Sequence, residues 1–565
     1  MSWPLRCWKH LVPLGQTFRH ARTFAKFKIA NALAFKRRNL LFSHYTMSSK
    51  LRSLIPYGNF DTLIAAIAGF ILIQLCARHG GIGVSPDSVV YMSTAASIHD
   101  HGVINDFSGL PMMDFPAFYP IVLSGVQFLT GRSALSFGPV FNGLLFATLI
   151  SLCGWLMGKF TWPLKGYKWI LLSCIVLSPC VLEVYCMLWS ETLFLLLSLL
   201  FILFIRRYFL SHTTASLILP AFIAALACVT RYAGVSFILT GGLLLLCDRG
   251  LPWKKKIGHL LLFGVISSSL LALNIYRNRL VTGTLTGYRE KAIVGFSTNL
   301  HDFGSVLCDW LPFIDDEYRW AGIVGACSIL FCMGIFLYRL LRQRNFFSYE
   351  NIGLAFFVVY TVFILATASL SRFQQLDSRL LSPLFIPWLW GSTSWIADCL
   401  RNPEASALRL PFTIRPWLIA GALAAAVCFQ IGQWRVNAEN WEGVKDAGIP
   451  GYTEDEWKHS ETMRYINTHK ELFSPHTPTY SNAFEGIWFF TGLRTDMLPH
   501  KDLPWDVKEF LKDTSCYVIW FEDAVNTDLI TIDDIRHYKK LVSEQNFGDG
   551  VIYFFTTDPS AAKTN

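Results

Sequence analysis

Charged residues are scarce in this chain of 565 residues, since only 16% are Asp, Glu, Lys or Arg, against about 25% in a typical soluble domain. Hydrophobic residues make up 53% of the sequence, and its mean hydropathy is +0.38. One globular core of this length cannot bury so many apolar side chains. The composition therefore argues against a soluble enzyme, a disordered protein and a nucleic-acid-binding module, and favours a polytopic membrane protein.

Sequence signatures of soluble catalytic and nucleotide-binding domains are also absent. The chain has no P-loop, no G-x-G-x-x-G after a strand, no G-x-S-x-G and no H-E-x-x-H. An enzyme of this kind would therefore carry its chemistry in the loops on the outer side of the membrane rather than in a cytoplasmic nucleotide-binding domain. The glycosylation sequon N-x-S/T is missing too, which favours a bacterial inner membrane over the secretory pathway.

Cysteine pairs with metal-binding or redox spacing are missing, although the chain has 14 cysteines. No C-x-x-C occurs, and many of the cysteines lie in apolar runs, where they act as small hydrophobic side chains. The tripeptide His99-Asp100-His101 has metal-binding residue types but no partner cluster, so solvated loop residues are the better interpretation. The sequence thus implies no cofactor, and nothing in it demands a divalent metal.

Basic residues are concentrated at the N-terminus. Over the whole chain the net charge is +9, and no acid precedes Asp61, whereas Lys and Arg recur throughout residues 1–60. We predict that residues 1–60 form a cytoplasmic arm, in accordance with the positive-inside rule. An extension upstream of a start at Met47 also fits the first 46 residues, and an organellar transit peptide fits them less well.

Apolar runs of membrane-spanning length dominate residues 61–434, which we predict to be the transmembrane domain. These runs cover residues 61–79, 134–158, 167–188, 190–209, 214–231, 233–247, 257–276, 320–338, 351–370, 379–397 and 414–434. A shorter run at 116–130 contains Pro116 and Pro120, and we interpret it as a partial or re-entrant helix. The predicted fold class is a polytopic α-helical membrane protein with about eleven transmembrane helices.

The charges between the apolar runs predict the topology. If 116–130 does not cross the membrane, the loops rich in Lys and Arg lie on the same side as the N-terminus, and the loops rich in Asp and Glu lie opposite. If it does cross, every later loop inverts and the pattern becomes positive-outside. We therefore predict a cytoplasmic N-terminus and a C-terminus outside.

Residues 435–565 differ in composition from the preceding chain, because acids exceed bases there and no run of membrane length occurs. Strand-like segments alternate with helical ones in this region. The strands are predicted at Thr479–Ser481, Cys516–Phe521 and Val551–Phe555, and the helices at Glu454–His469 and Ile532–Gln545. We predict that 435–565 is a small α/β domain on the outer side.

Three carboxylates lie in or beside loops of the predicted outer side. Asp87 and Asp114 belong to the long loop 80–115, and Glu191 begins an apolar helix. Each has a plain structural interpretation, because a carboxylate near a helix N-terminus caps or stabilises that helix. Ionisable groups at membrane depth are usually functional, so all three are candidate catalytic residues.

Basic side chains lie near the same helix ends. Arg231 ends one apolar run, and Arg372 and Arg379 lie close to Asp377 just before another. Snorkelling of long side chains towards water explains any one of them. Their clustering with acids instead suggests that they bind an anion, phosphate in particular.

Several short motifs in order along the chain resemble those of one superfamily. They are Pro86-Asp87-Ser88-Val89-Val90-Tyr91, Phe115–Pro120, Ser190-Glu191, Thr230–Gly234, Ser378–Pro383 and a tail stretch between Ser481 and Pro499. This set is similar to the C-type membrane glycosyltransferases, which include aminoarabinose lipid A transferases and protein O-mannosyltransferases. One departure concerns the loop acid, because many relatives have Asp-Glu where this chain has Asp87-Ser88. Asp114 or Glu191 then takes the place of the second acid.

The resemblance implies a reaction and a set of partners. The donor is a sugar on a polyprenyl phosphate in the bilayer, and the acceptor is a glycan, lipid or protein on the extracytoplasmic face. Asp87 is implied as general base in an inverting transfer, with Glu191 orienting Asp87 or the acceptor. Arg379, Arg372 and Arg231, together with Tyr91, are implied as the donor-phosphate site. No nucleic-acid partner is expected.

Other functions fit part of the same sequence. A multi-pass transporter or flippase of lipid-linked or polar substrates also has many apolar helices and buried charges, but more often shows internal repeats and charges at the midplane. A polysaccharide polymerase or ligase shares the lipid-linked substrate. A non-catalytic scaffold remains an alternative, because a fold alone does not establish activity.

Overall fold

The structure is a computed structural model that describes residues 60–160, 166–287, 290–311, 318–342, 346–372, 375–401, 415–473, 477–524 and 526–557. The predicted basic arm at 1–60 lies outside these residues except for Phe60, and so do parts of several loops whose charges predict the topology.

Helices dominate the described residues between 60 and 447. They are α1 (Phe60–Cys76), α2 (Pro86–His101), α3 (Phe118–Thr130), α4 (Ala134–Met157), α5 (Gly166–Val176), α6 (Pro179–Cys186), α7 (Glu191–Ser211), α8 (Thr214–Thr230), α9 (Val235–Cys247), α10 (Trp253–Thr282), α11 (Phe296–Trp310), α12 (Ala321–Arg342), α13 (Tyr349–Leu370), α14 (Ser378–Arg401) and α15 (Arg415–Ala447). Helix α7 is central, because it packs against α4, α8, α13 and α14.

Membrane-spanning length is reached by fewer helices than the apolar runs predict. Within the described ranges, six helices are long and apolar enough to cross a bilayer, namely α4, α7, α10, α12, α13 and α15. The bent pair α5 and α6 adds a seventh if the two form one span, and α1, α3, α8 and α9 are shorter apolar helices. The polytopic helical fold is therefore present, but the predicted number of eleven spans is not confirmed.

The run predicted as one helix at 167–188 is broken into α5 and α6, which meet at an angle of 47°. Pro179 causes the break, because a proline disfavours helical backbone at the residue before it and has no N–H to donate. Ser178 then begins α6 as its N-cap, and its Oγ accepts a hydrogen bond from the Val181 amide. The break directs the chain after Cys186 towards the loop that follows α1.

Five strands in the C-terminal region form one mixed sheet of order β2-β1-β3-β5-β4. The strands are β1 (Thr479–Ser481), β2 (Asp496–Met497), β3 (Ser515–Phe521), β4 (Lys540–Asn546) and β5 (Gly550–Thr556). β1 is parallel to β2 and β3, whereas β5 is antiparallel to β3 and β4. The helices around the sheet are α16 (Asp455–Lys458), α17 (Glu461–Thr468), α18 (Phe484–Thr491), α19 (Pro504–Phe510) and α20 (Ile532–Tyr538).

The helix predicted at Ile532–Gln545 is wrong in its second half. Helix α20 ends at Tyr538, Lys539 has extended backbone, and the chain continues as β4 paired with β5. The residues of β4 are mostly good helix formers, but cross-strand pairing along the exposed edge of β5 outweighs that local preference.

The helical segment predicted at Glu454–His469 is present, but it is divided into α16 and α17. Ser460 causes the division by acting as the N-cap of α17, where its Oγ accepts a hydrogen bond from the Met463 amide. The same hydroxyl donates to the carboxylate of Asp549, which also accepts from the Thr462 amide. The start of α17 is thereby tied to the loop before β5.

Aromatic side chains dock the C-terminal region onto α2. The ring of Phe107, in the loop after α2, lies 5.9 Å from that of Phe484 and 5.4 Å from that of Trp488, both on α18. The Tyr452 amide also donates a hydrogen bond to the carbonyl of Val84, at a distance of 2.8 Å. These contacts place the first turn of α18 against the first turn of α2.

Candidate functional site

Asp87 lies in the first turn of α2 but does not cap it, which corrects its structural interpretation as an N-cap. The N-cap is Ser85, whose amide donates a hydrogen bond to Ser88 Oγ at 3.1 Å. Pro86 occupies the first helical position, where its missing N–H costs nothing. The two serines thus form the hydrogen bonds that cap the start of α2, so the carboxylate of Asp87 is available for other contacts.

The segment between α6 and α7 is held beside this helix end. Gly83 forms a parallel bridge with Met187, in which the Gly83 amide donates to the Cys186 carbonyl at 2.9 Å. From the other side, Asn142 Nδ2 donates to the carbonyls of Tyr185 and Met187. A Cβ at Gly83 would overlap the Met187 sulfur, so this close approach requires glycine.

Glu191 is the most enclosed charge of the site, with its side chain only 1% exposed. Its Oε1 lies 2.6 Å from Arg231 Nη1 and 2.5 Å from Arg379 Nε. Arg231 ends α8, and Arg379 lies in the first turn of α14. The helix start of α7 thus brings together three charged residues that are as much as 188 positions apart in sequence. Two cations around one buried anion leave a positive charge that needs another partner.

Asp87 is that partner. Its Oδ2 pairs with Arg379 Nη2, so the guanidinium of Arg379 joins Glu191 to Asp87. The same guanidinium lies over the ring of Trp189, 4.1 Å from its centroid, and Trp189 Nε1 donates to Ser85 Oγ at 2.7 Å. The two acids and two arginines are charge-balanced. In the part of the chain that the structure describes, Asp87 Oδ1 accepts no hydrogen bond, so it remains available for a ligand.

Tyr91 lies behind this network. Its hydroxyl is 3.2 Å from Ser190 Oγ, which accepts a hydrogen bond from Arg231 Nη1 at 3.0 Å and lies next to Glu191. The Tyr91 side chain is 1% exposed and packs edge-on against Phe115 and Tyr119. Burial raises its pKa, so the phenol is neutral. Tyr91 is therefore joined to the charged network through Ser190.

A cavity of about 2280 Å³ opens in front of Asp87. One wall consists of the first turn of α2 and the segment around Trp189, and the facing wall consists of the C-terminal region, including Glu485. Apolar side chains of α1, α6 and α15, among them Leu75 and Trp434, line a further part of it. Both of these side chains are exposed on the outside of the helices, so the cavity reaches the apolar outer surface of the helices.

Arg372 lines the same cavity from the end of α13. Its Nη2 lies 3.2 Å from Asp528 of the C-terminal region, which is within ion-pair distance but without hydrogen-bond geometry. Among the described residues, neither Nη1 nor Nη2 donates a hydrogen bond, although both atoms are buried. Arg372 can therefore donate hydrogen bonds to a ligand, whereas Arg231 and Arg379 are already bound to carboxylates.

Asp114 is not brought to this cluster. It is exposed in the loop before α3, and its Oδ1 lies against Gly287, where a Cβ would overlap it. His99 and His101 lie at the far end of α2 from Asp87. Within the described ranges, no group of three His, Cys, Asp or Glu side chains could hold a metal ion.

Among the other carboxylates that line the cavity, Glu183 and Glu485 are of particular interest, and the sequence patterns did not single them out. Glu183 lies in α6, within an apolar run, and a charge in such a run is a signal that could have found it. Glu485 lies in the first turn of α18 in the C-terminal region. No sequence signal distinguishes it from the many other acids of that region, because only the fold brings it to Asp87.

Comparisons with known proteins give similarity in structure alone. No family model matches the chain, and no curated protein matches it. The crystal structure of ArnT from Cupriavidus metallidurans bound to undecaprenyl phosphate is 12% identical, with a TM-score of 0.49, covering 87% of this chain and 96% of that one.

Two other solved structures are similar to this chain. The apo oligosaccharyltransferase of Archaeoglobus fulgidus is 12% identical, with a TM-score of 0.47, covering 82% of this chain and 70% of that one. The arabinofuranosyltransferase AftD from Mycobacteria is 14% identical, with a TM-score of 0.41. The match covers 87% of this chain and 41% of that longer one. These three solved structures are of C-type membrane glycosyltransferases.

Proposed function

We propose that this protein is a membrane glycosyltransferase that moves a sugar from a polyprenyl-phosphate donor to a hydroxyl group of an acceptor. The observation that carries the proposal is the carboxylate of Asp87, which Arg379 holds at the wall of a large cavity with one oxygen unpaired among the described residues. A fixed, ionised carboxylate facing a cavity is suited to accept a proton.

The reaction is a single displacement at the anomeric carbon. The acceptor oxygen attacks that carbon while its proton passes to Asp87 Oδ1, and the bond from the anomeric carbon to the phosphate oxygen breaks. The bonding electrons leave with the polyprenyl phosphate, and the configuration of the sugar inverts. Arg379 fixes the position of the Asp87 carboxylate through the contact between its Nη2 atom and Asp87 Oδ2.

Arg372 is suited to bind the donor phosphate. Both terminal nitrogens of its guanidinium are buried without a hydrogen bond in the described structure, which is costly unless a ligand accepts from them. Arg231 and Arg379 are bound to carboxylates, and their part is to fix Glu191 and Asp87. Positive charge near the leaving phosphate stabilises the charge that develops there.

The apolar side of the cavity is suited to the lipid chain of the donor. Leu72, Leu75, Leu177 and Leu182 line it close to Trp434 of α15. This surface is continuous with helix flanks that face lipid, so a polyprenyl chain can remain in the bilayer while its phosphate enters the cavity. The proposal places this cavity at the outer face of a bacterial inner membrane, with the C-terminus outside, and includes no metal ion.

The test is sugar transfer by the full chain, purified and placed in lipid nanodiscs, from a panel of radiolabelled polyprenyl-phosphate sugars. Asp87→Asn keeps the size of the side chain and removes the base, so transfer is expected to fall by about 100-fold or more. Asp100→Asn is the matched control, because Asp100 lies on the same helix with its side chain 55% exposed.

The outcomes separate the possible functions. Transfer by the wild type and by Asp100→Asn, but not by a folded Asp87→Asn, supports the proposal. Equal transfer by all three proteins contradicts the role of Asp87. Binding of polyprenyl phosphate without transfer from any donor contradicts the transferase and favours a transporter or flippase of lipid-linked substrates.

A further inference from the structure

Glu485 is a carboxyl group without a cation. It lines the cavity from the first turn of α18 and is partly buried. Among the described residues, its side chain forms no ion pair and no hydrogen bond with another residue. A charged carboxylate in such surroundings would be costly, because desolvation is not offset by a partner.

The position of Glu485 is set by packing rather than by polar contacts. Phe484 and Trp488 on the same helix pack against Phe107, and the ring of Tyr452 lies against Gly486, where a Cβ would be only 2.7 Å from Tyr452 Cε1. A glycine at 486 thus allows close contact between α18 and the loop that precedes α16. These contacts hold Glu485 on the wall that faces Asp87.

The two facing carboxyl groups differ in environment. Asp87 forms an ion pair with Arg379, whereas burial and the negative charge of Asp87 raise the pKa of Glu485 to about 8. Besides Asp87, the titratable group that interacts with Glu485 is Tyr452, whose own pKa is raised by burial and by Glu485. Helix α17 also packs on α18, but its Glu461 and Arg464 are exposed and pair with each other at 2.9 Å. A charged base and a neutral carboxyl group therefore face one cavity.

We propose that Glu485 is a substrate-binding residue of the transferase, whose protonated carboxyl donates a hydrogen bond to the acceptor while Asp87 takes the acceptor's proton. The inference rests on the proposed function and adds a residue of the C-terminal region to the site. It also places the acceptor between Asp87 on α2 and Glu485 on α18, and leaves the donor phosphate to Arg372.

The test is a kinetic comparison of Glu485→Gln and Glu485→Ala, with separate KM values for donor and acceptor. The amide of Gln can still donate a hydrogen bond, so Glu485→Gln is expected to retain its acceptor KM near pH 7. Glu485→Ala cannot donate this hydrogen bond, so its KM for the acceptor is expected to rise by about tenfold. Its KM for the polyprenyl-phosphate sugar is expected to be unchanged. Glu461→Gln is the matched control, because it makes the same change at an exposed position on the neighbouring helix.

The pH profile provides a readout that a merely structural role would not move. The pKa of Glu485 is raised to about 8, so its carboxyl group is protonated below that pH and loses the proton as the pH rises through it. The acceptor kcat/KM of the wild type should therefore fall above about pH 8. The same fall should be absent in Glu485→Gln, which cannot ionise.

Each outcome decides the inference. If Glu485→Ala has the acceptor KM of the wild type, or if a folded Glu485→Gln is as impaired as Glu485→Ala, the inference is overturned and the proposed function stands. If the wild type transfers no sugar from any donor, both fail together. Folding of each variant is checked by thermal unfolding and by retained binding of polyprenyl phosphate.

Discussion

Arg379 Nε lies 2.5 Å from Oε1 of Glu191, a carboxylate that is only 1% exposed. The same guanidinium reaches Asp87 with its Nη2 atom. One side chain therefore connects the most enclosed charge of the protein's site to the carboxylate that faces the cavity. This arrangement makes the position of Asp87 depend on residues that do not themselves contact a substrate.

Replacing Glu191 by Gln should destabilise the protein. The variant leaves Arg231 and Arg379 side by side with only Asp87 to balance them, and removing one partner of a buried ion pair typically costs about 3–5 kcal/mol. We expect a lower thermal unfolding temperature in detergent. Glu439→Gln is the control, because Glu439 forms an exposed pair with Arg435 and should change stability little. If the two substitutions lowered the unfolding temperature equally, the buried ion pairs of Glu191 would not contribute to stability as described.

Arg379→Lys should reduce transfer although it keeps the positive charge. A single ammonium group does not reproduce the fork that contacts Glu191 through Nε and Asp87 through Nη2, nor the stacking over Trp189. We expect kcat to fall by about tenfold or more, because even a small displacement of a catalytic base lowers the rate strongly. The measurement is steady-state transfer at saturating donor, and wild-type kcat in the variant would show that charge alone suffices.

Trp189→Phe separates two contributions of the tryptophan. It keeps an aromatic ring under the guanidinium of Arg379 but loses the hydrogen bond from Nε1 to Ser85 Oγ. We expect a loss of about 0.5–1.5 kcal/mol in stability with activity largely retained. Trp189→Ala also removes the ring and should lower both the stability and the transfer activity. The finding that Phe and Ala behave alike would mean that the ring does not position Arg379.

Arg372→Gln should act on the donor rather than on the acceptor. Loss of the guanidinium removes a charged hydrogen-bond donor to the phosphate, and we expect the donor KM to rise by about tenfold or more with little change in the acceptor KM. Asp528→Asn is the control, because it removes the neighbour of Arg372 at 3.2 Å and leaves the guanidinium in place. A rise in the acceptor KM of Arg372→Gln instead would contradict the assignment of the phosphate to this wall.

Much of the site could be predicted from sequence because apolar helices make charges conspicuous. Glu191, Arg231 and Arg379 lie at the ends of apolar runs, Asp87 lies in the long loop after the first run, and the structure brings all four together. Asp114 lies at a similar place in sequence, but its loop leads it to Gly287 instead. Position at a helix end thus identified candidates without determining which of them meet.

The remaining features depend on long-range packing. Glu485 reaches Asp87 only because aromatic contacts dock α18 on α2, and a single acid in an acidic region carries no signal of this. Likewise β4 forms because β5 offers it an edge, against the local helix preference of its residues. The bend at Pro179 could be anticipated, since a proline within an apolar run usually interrupts the helix.

The central claim is that Asp87 takes the acceptor's proton during one direct displacement at the sugar. The measurement that tests it most directly is the anomeric configuration of the sugar that the wild-type protein transfers, determined by NMR of the product. The account predicts a configuration opposite to that of the donor. Retention of the donor's configuration would contradict it, because retention requires two displacements and a nucleophile where we assign a base.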